Sequence, residues 1–116
     1  MKMASLVGFA VLTLPGSALA AGAVTFPLSV ATSKDVHYVC KDKKNVSVSY
    51  VNATNGDAFA YLTVDGTPHV FVAITSGSGV RYASGRYIWW NKGDTGTLSI
   101  DGSRSSPLLA DCMEQK

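Results

Sequence analysis

The sequence is poor in the residues that most chemistry uses. Only two histidines and two cysteines occur among 116 residues, and 16% of the chain is charged, below the usual quarter. His37 and His69 fall on different predicted strands, and neither has a metal-ligand spacing such as His-x-x-x-His. Strand positions facing solvent or beside a turn account for both. Two cysteines allow one disulfide and exclude a cysteine-rich zinc site. The glycine-rich stretch Thr75-Ser76-Gly77-Ser78-Gly79 is followed by no helical pattern and lacks the Lys-Ser/Thr ending of a phosphate loop, so no cofactor is expected. Asp57, Asp65, Asp94 and Asp101 lie in or beside turns, which explains them without a paired-carboxylate glycosidase. The formal charge of +2 is spread along the chain rather than gathered in a stripe, which argues against nucleic acid as a partner.

The one long apolar run is at the start. Residues 1–20 open with Lys2, run apolar from Leu6 to Leu14, break at Pro15-Gly16 and end in Ala18-Leu19-Ala20. This pattern predicts a cleaved secretory signal peptide, and the run is short of the roughly 20 residues that span a bilayer. Cleavage after Ala20 leaves residues 21–116, with nine basic residues against eight acidic ones and a charge of +1. No cysteine follows the cleavage site, so the exported form is expected to be soluble, without a lipid anchor. Export also places Cys40 and Cys112 in an oxidising compartment, where two thiols in a small domain pair.

Past residue 33 the apolar spacing has a period of two. Val36, Tyr38 and Cys40 alternate with His37 and Val39, and Val46, Val48 and Tyr50 alternate with Ser47 and Ser49. Residues 58–64 and 69–74 are rich in β-branched and aromatic side chains around a hairpin turn at Asp65-Gly66. Residues 80–83, 86–91 and 96–100 complete the series, with turns at Ser84-Gly85 and Asp101-Gly102. Seven or eight short strands with tight turns predict an all-β domain, a small antiparallel barrel or sandwich, over residues 34–116. Closure into a barrel removes exposed edges. Residues 21–33 are expected to be a lead-in or a first edge strand, because Pro27 cannot donate within a central ladder.

Hairpin arithmetic brings two polar side chains together. A two-residue turn at Ser84-Gly85 sets Ser78 opposite Asn91, and a three-residue loop sets it opposite Lys92. Either register puts Ser78 and Lys92 at one end of one hairpin, on a tip thinned by Gly77, Gly79 and Gly93. A thin tip bearing a hydroxyl and a cation is shaped to enter a cleft on a partner. The plainer alternative is that the glycines serve turn geometry, Ser78 caps a turn and Lys92 is a solvated charge. A Ser-Lys hydrolytic dyad needs a desolvated lysine, which an exposed tip does not provide.

Ser78-Gly79-Val80-Arg81-Tyr82 and Trp90-Asn91-Lys92-Gly93 resemble the Ser-Gly-x-x-Tyr and Trp-x-Lys-Gly motifs of the c-type lysozyme inhibitor family, which has membrane-bound and periplasmic members. The resemblance runs from Tyr38-Val39-Cys40 to Cys112. It implies an eight-stranded antiparallel β-barrel closed by a disulfide, located in the periplasm, whose partner is a c-type lysozyme and which is not an enzyme. The binding residues it implies are Ser78, Gly79, Tyr82, Lys92 and Gly93. By the same resemblance Ser78 and Lys92 are expected to reach the catalytic cleft, while Tyr82 and Trp90, as large aromatics near a tip, are expected to hold the hairpin. Lys41-Asp42-Lys43-Lys44 matches no motif of the family. From a different class, a small exported barrel could bind a ligand or glycan through Tyr82, Trp89 or Trp90.

Overall fold

The computed structural model describes residues 22–101 and 106–116, so the signal peptide expected over residues 1–20 lies outside the described residues. Eight strands follow one another: β1 (Val30–Val39), β2 (Asn45–Ala53), β3 (Ala58–Val64), β4 (Thr67–Ile74), β5 (Val80–Ser84), β6 (Tyr87–Lys92), β7 (Thr95–Ile100) and β8 (Leu109–Glu114). Each pairs antiparallel with the next, and β8 returns to β1 through Tyr38↔Glu114 and Val39↔Met113, which closes the barrel. The expected eight-stranded antiparallel barrel is the observed fold.

Alternation decides which side chains go inside. Val36 and Tyr38 on β1, Val46 and Val48 on β2, Ala60, Leu62 and Val64 on β3, and Phe71 on β4 are buried, together with Tyr82, Trp89 and Leu98. An eight-stranded barrel has an interior just wide enough for side chains to fill, and Trp89, Tyr38 and Phe71 are the largest of those that fill it. Cys40, one residue past β1, bonds to Cys112 on β8. The crosslink sits beside the two residue pairs that join the first and last strands, so it staples the seam where the barrel closes.

Three details differ from the sequence reading or extend it. Strand β1 begins at Val30, inside the segment read as a lead-in or edge strand, and pairs with β2 through Val30↔Ala53, Thr32↔Asn52 and Ser33↔Val51. Residues 30–35 are exposed on both faces, so no alternation marks them. Strand β8 has no β-branched residue and carries Asp111 at a φ of 52°, and nothing in its sequence separates it from a loop. The β5–β6 turn is Gly85-Arg86 rather than Ser84-Gly85, with Ser84 opposite Tyr87. Gly85 takes a φ of +56° at the first central position of a two-residue turn, where glycine is favoured. Tyr82 and Trp89 thereby face each other inside the barrel.

Because neighbouring strands run in opposite directions, the connections divide between two ends. The β4–β5 loop over residues 75–79 and the β6–β7 turn at Gly93-Asp94 share one end with the start of β1 and the finish of β8. The basic segment Lys41–Lys44 lies at the other end, beside the Asp65-Gly66 and Gly85-Arg86 turns.

Candidate functional site

The end of the barrel that carries residues 75–79 and 93–94 holds Ser78 and Lys92. Trp90 joins them. It points outward from β6, between the buried Trp89 and the inward-facing Asn91, and its Nε1 donates to the Ser78 carbonyl oxygen at 2.9 Å. The hydroxyl of Ser76 donates to the same oxygen at 2.6 Å, which folds the β4–β5 loop onto the hairpin. Lys92, two residues along the same strand and on the same outer face, lies with its Nζ 4.2 Å from the centre of the Trp90 ring. A cation over an indole face is stabilised by about 0.5–1 kcal/mol at exposed sites. The Arg81 guanidinium carbon, on the residue opposite Trp90, is 5.2 Å from the same ring centre, and its Nε is buried with no hydrogen-bond partner among the described residues.

The register corrects the sequence arithmetic. Val80 faces Asn91, so Gly79 comes beside Lys92 and Ser78 lies two positions beyond the place the two-residue turn gave it and one beyond that of the three-residue loop. Gly79 has a φ of +64°, and a Cβ there would meet the Asn91 carbonyl oxygen at 2.5 Å and the Lys92 Cγ at 2.7 Å. The close approach of the two loops depends on glycine at this position. Ser78, Gly79, Lys92 and Gly93 are all exposed, and the fold brings these four candidates together. Tyr82 is not with them: it is 6% exposed and points into the barrel, its ring 5.7 Å from that of Tyr50. Trp89 is 0% exposed, so two of the three aromatics considered for a glycan platform are buried, and the face of the third lies beneath a lysine. His37 is hydrogen-bonded to the Ser47 hydroxyl at 3.2 Å, and His69 packs on the rings of Phe71 and Tyr87.

Beneath the surface residues runs a polar chain that sequence reasoning missed. Trp89 Nε1 donates to the Tyr50 hydroxyl at 2.8 Å, which shares a 2.7 Å hydrogen bond with the Tyr38 hydroxyl. Asn91 Nδ2 donates to the Tyr38 hydroxyl at 3.3 Å and to the carbonyl oxygens of Gly93 and Thr95 at 3.2 and 3.0 Å. The available signal was an asparagine two residues before a turn glycine, where side-chain hydrogen bonds to the backbone are common. Tyr38, Tyr50 and Asn91 also line an open depression of about 500 Å³ at this end, with Lys34 and Glu114 at its side.

Burial pushes the Tyr50 hydroxyl well above its ordinary value near 10, and its hydrogen bond to Tyr38 adds to the shift. Burial also raises Tyr38 and Tyr82. The fold therefore favours the neutral phenol in all three. Unfolded tyrosines lose their protons near pH 10, so the stability from keeping these three neutral is fully present below that pH and is lost above it. In an alkaline titration followed by tyrosinate absorbance and circular dichroism, Tyr38, Tyr50 and Tyr82 are expected to ionise together with unfolding. Gradual ionisation of all five tyrosines with the fold intact would contradict this.

The sequence profile of the family described as "Membrane-bound lysozyme-inhibitor of c-type lysozyme" matches residues 38–106, more than half of the chain. The chain belongs to this family. A membrane-bound lysozyme inhibitor of C-type lysozyme from Cupriavidus necator is 43% identical over 79 residues, which cover 66% of this chain and 62% of that protein. Its counterpart from Pseudomonas aeruginosa is 33% identical over 75 residues, covering 65% and 59%. The match thus spans about three fifths of the length of these relatives. The crystal structure of Pseudomonas aeruginosa MliC in complex with hen egg white lysozyme is similar with a TM-score of 0.63 at 28% identity, covering 98% of this chain and all of that one. The fold is also that of PliC from Salmonella typhimurium, a periplasmic inhibitor of C-type lysozyme, with a TM-score of 0.65 at 24% identity over 73% of this chain. The two relatives are thus named as membrane-bound inhibitors of C-type lysozyme, and the PliC structure, alike in fold, as a periplasmic one.

Proposed function

We propose that this chain inhibits a c-type lysozyme by inserting the end of the barrel that carries Ser78 and Lys92 into the enzyme's catalytic cleft. The observation that supports this reading is the joining of the two residues through Trp90, which hydrogen-bonds the backbone carbonyl of Ser78 and lies under the ammonium of Lys92. A lysozyme cuts its glycan with one protonated glutamic acid and one ionised aspartate. The Ser78 hydroxyl hydrogen-bonds to that carboxyl pair, and the Lys92 ammonium pairs with the aspartate. With both acids occupied, the cleft is closed to substrate. The loops are braced before binding, which reduces the ordering cost of association. At a mature charge of +1, long-range steering toward a cationic enzyme is absent, so the association rate falls in the unsteered range of about 10⁵–10⁶ M⁻¹s⁻¹. The protein works in the periplasm as a soluble domain, released by cleavage after Ala20.

The test is lysis of a peptidoglycan suspension by a c-type lysozyme, with and without residues 21–116. Dose-dependent loss of lytic rate is expected, and an unchanged rate at large molar excess defeats the proposal. Lys92→Ala is expected to weaken inhibition about a hundredfold, because it leaves a lysozyme carboxylate buried without its counter-ion. Ser78→Ala removes a hydrogen bond to a charged group and is expected to cost about tenfold. Both residues are exposed, so the fold is expected to persist. Full inhibition by the double variant would place the interface elsewhere.

A further inference from the structure

Lys92 lays its long side chain over the Trp90 ring, and the backbone that carries it is held as well, from the mouth of the barrel. Asn91 and Lys92 are successive strand residues and point to opposite faces. The amide of Asn91 enters the barrel mouth, where two protons on one nitrogen serve three acceptors: the Tyr38 hydroxyl, the Gly93 carbonyl and the Thr95 carbonyl. The first is the end of the buried Trp89–Tyr50–Tyr38 chain, and the other two belong to the turn that follows Lys92. The Thr95 hydroxyl adds a third hold by donating to the Lys92 carbonyl oxygen at 2.9 Å. Gly93 and Asp94 are exposed; beyond these bonds the turn is tied at Asp94, whose carbonyl oxygen accepts from the Glu114 N–H and whose carboxylate pairs with Lys116, and none of those ties reaches Lys92.

We infer that Asn91 is a positioning residue for inhibition, transmitting the rigidity of the buried tyrosine pair to the Gly93-Asp94 turn and so fixing the direction in which Lys92 leaves the barrel. The inference rests on the proposed role of Lys92. Asn91 itself touches no partner. Its effect is to hold the lysine backbone in the bound arrangement before the encounter, so that ordering the turn is not charged against affinity. The amide suits this task because it donates to several carbonyls at once. A carboxylate of the same shape would face those carbonyls as an acceptor and repel them.

The experiment compares wild type, Asn91→Asp, Asn91→Ala, Lys92→Ala and the Asn91→Ala/Lys92→Ala double variant as inhibitors of a c-type lysozyme, with circular dichroism to check folding. Loss of the clamp is expected to weaken inhibition about tenfold in either Asn91 variant, the scale of a well-placed hydrogen bond. If Asn91 acts through Lys92, the double variant is no weaker than Lys92→Ala alone. A merely structural role would cost the same factor in both backgrounds, and additivity would overturn the inference. A second readout needs no lysozyme: amide hydrogen exchange at Gly93, Asp94 and Thr95 in the free protein is expected to accelerate in Asn91→Asp. Unchanged exchange would overturn the clamp even if wild type inhibits. Should wild type fail to inhibit, the proposed function falls, and the exchange measurement still decides whether Asn91 holds the turn. If the Asn91 variants do not fold, Tyr38→Phe removes the hydroxyl that anchors the Asn91 amide and serves in their place; it is expected to give a smaller change in the same direction at Gly93, Asp94 and Thr95, and unchanged exchange there would overturn the inference.

Discussion

Cys40→Ser combined with Cys112→Ser is expected to lower the free energy of unfolding by about 4 kcal/mol. The two residues are 72 apart in sequence, and on the chain-entropy account a crosslink closing a loop of this size removes about that much freedom from the unfolded chain. Domains of this length have about 5–15 kcal/mol in total, so the variant would keep only part of its margin. Position adds to length. The bond lies beside the two residue pairs, Tyr38↔Glu114 and Val39↔Met113, that close the barrel. Amide exchange in the reduced protein is therefore expected to rise first along this seam, ahead of the β5–β6 hairpin. Denaturant titration of oxidised and reduced protein checks the magnitude, and equal midpoints would show that the crosslink contributes nothing.

Trp89→Ala is expected to cost a further about 3–5 kcal/mol, the range for truncating a large buried aromatic. Trp89 fills the centre of the barrel, its ring edge-on to Tyr38 with centroids 5.2 Å apart. Its indole nitrogen is also the donor at the head of the polar chain through Tyr50 and Tyr38. Trp89→Phe retains most of the packing but removes that donor, and a loss of about 1–3 kcal/mol is expected. The partner position responds in the opposite sense: a Cβ at Gly96 would fall on the ring atoms of Trp89, so Gly96→Ala overfills the same space. Trp90→Phe, on the outer face, gives the contrast. It loses the hydrogen bond to Ser78, so inhibition is expected to fall more than stability. Denaturant midpoints measured at constant slope separate the two tryptophans. If Trp89→Ala is as stable as wild type, the assignment of Trp89 to the core is wrong.

Much of the barrel can be read from the sequence because alternation reports burial directly. Val36, Tyr38 and Cys40 and then Val46 and Val48 are inward, as their spacing predicts. Asp65 and Gly66 both take positive φ in the β3–β4 turn, as that pair favours. What could not be read depends on choices that local propensity leaves equal. Ser84-Gly85 and Gly85-Arg86 are both acceptable two-residue turns that leave the same side chains inward, and it is the second that sets Tyr82 directly opposite Trp89. That choice moves the position level with Ser78 by two residues, from Asn91 to Gly93, so the shared end of the hairpin was legible while the pairing of Ser78 and Lys92 was not. Strand β8 depends on closure for its existence: Leu109–Glu114 becomes a strand by pairing with β7 and β1, contacts too distant in sequence to leave a local pattern. The amide of Asn91 was hidden for a similar reason, since its partner Tyr38 is 53 residues away.

The shared end of the barrel has a practical consequence for handling the protein. Glu114 donates its backbone N–H to the Asp94 carbonyl oxygen at 2.9 Å, and the Lys116 ammonium lies 3.8 Å from the Asp94 carboxylate, next to the turn that follows Lys92. The start of β1 opens at that end as well. An affinity tag, fluorophore or sensor surface attached at Lys116 therefore stands over the same face as Ser78 and Lys92 and competes with them for space. Lys44 and the Gly85-Arg86 turn, at the far end, are the attachment points that leave this face open.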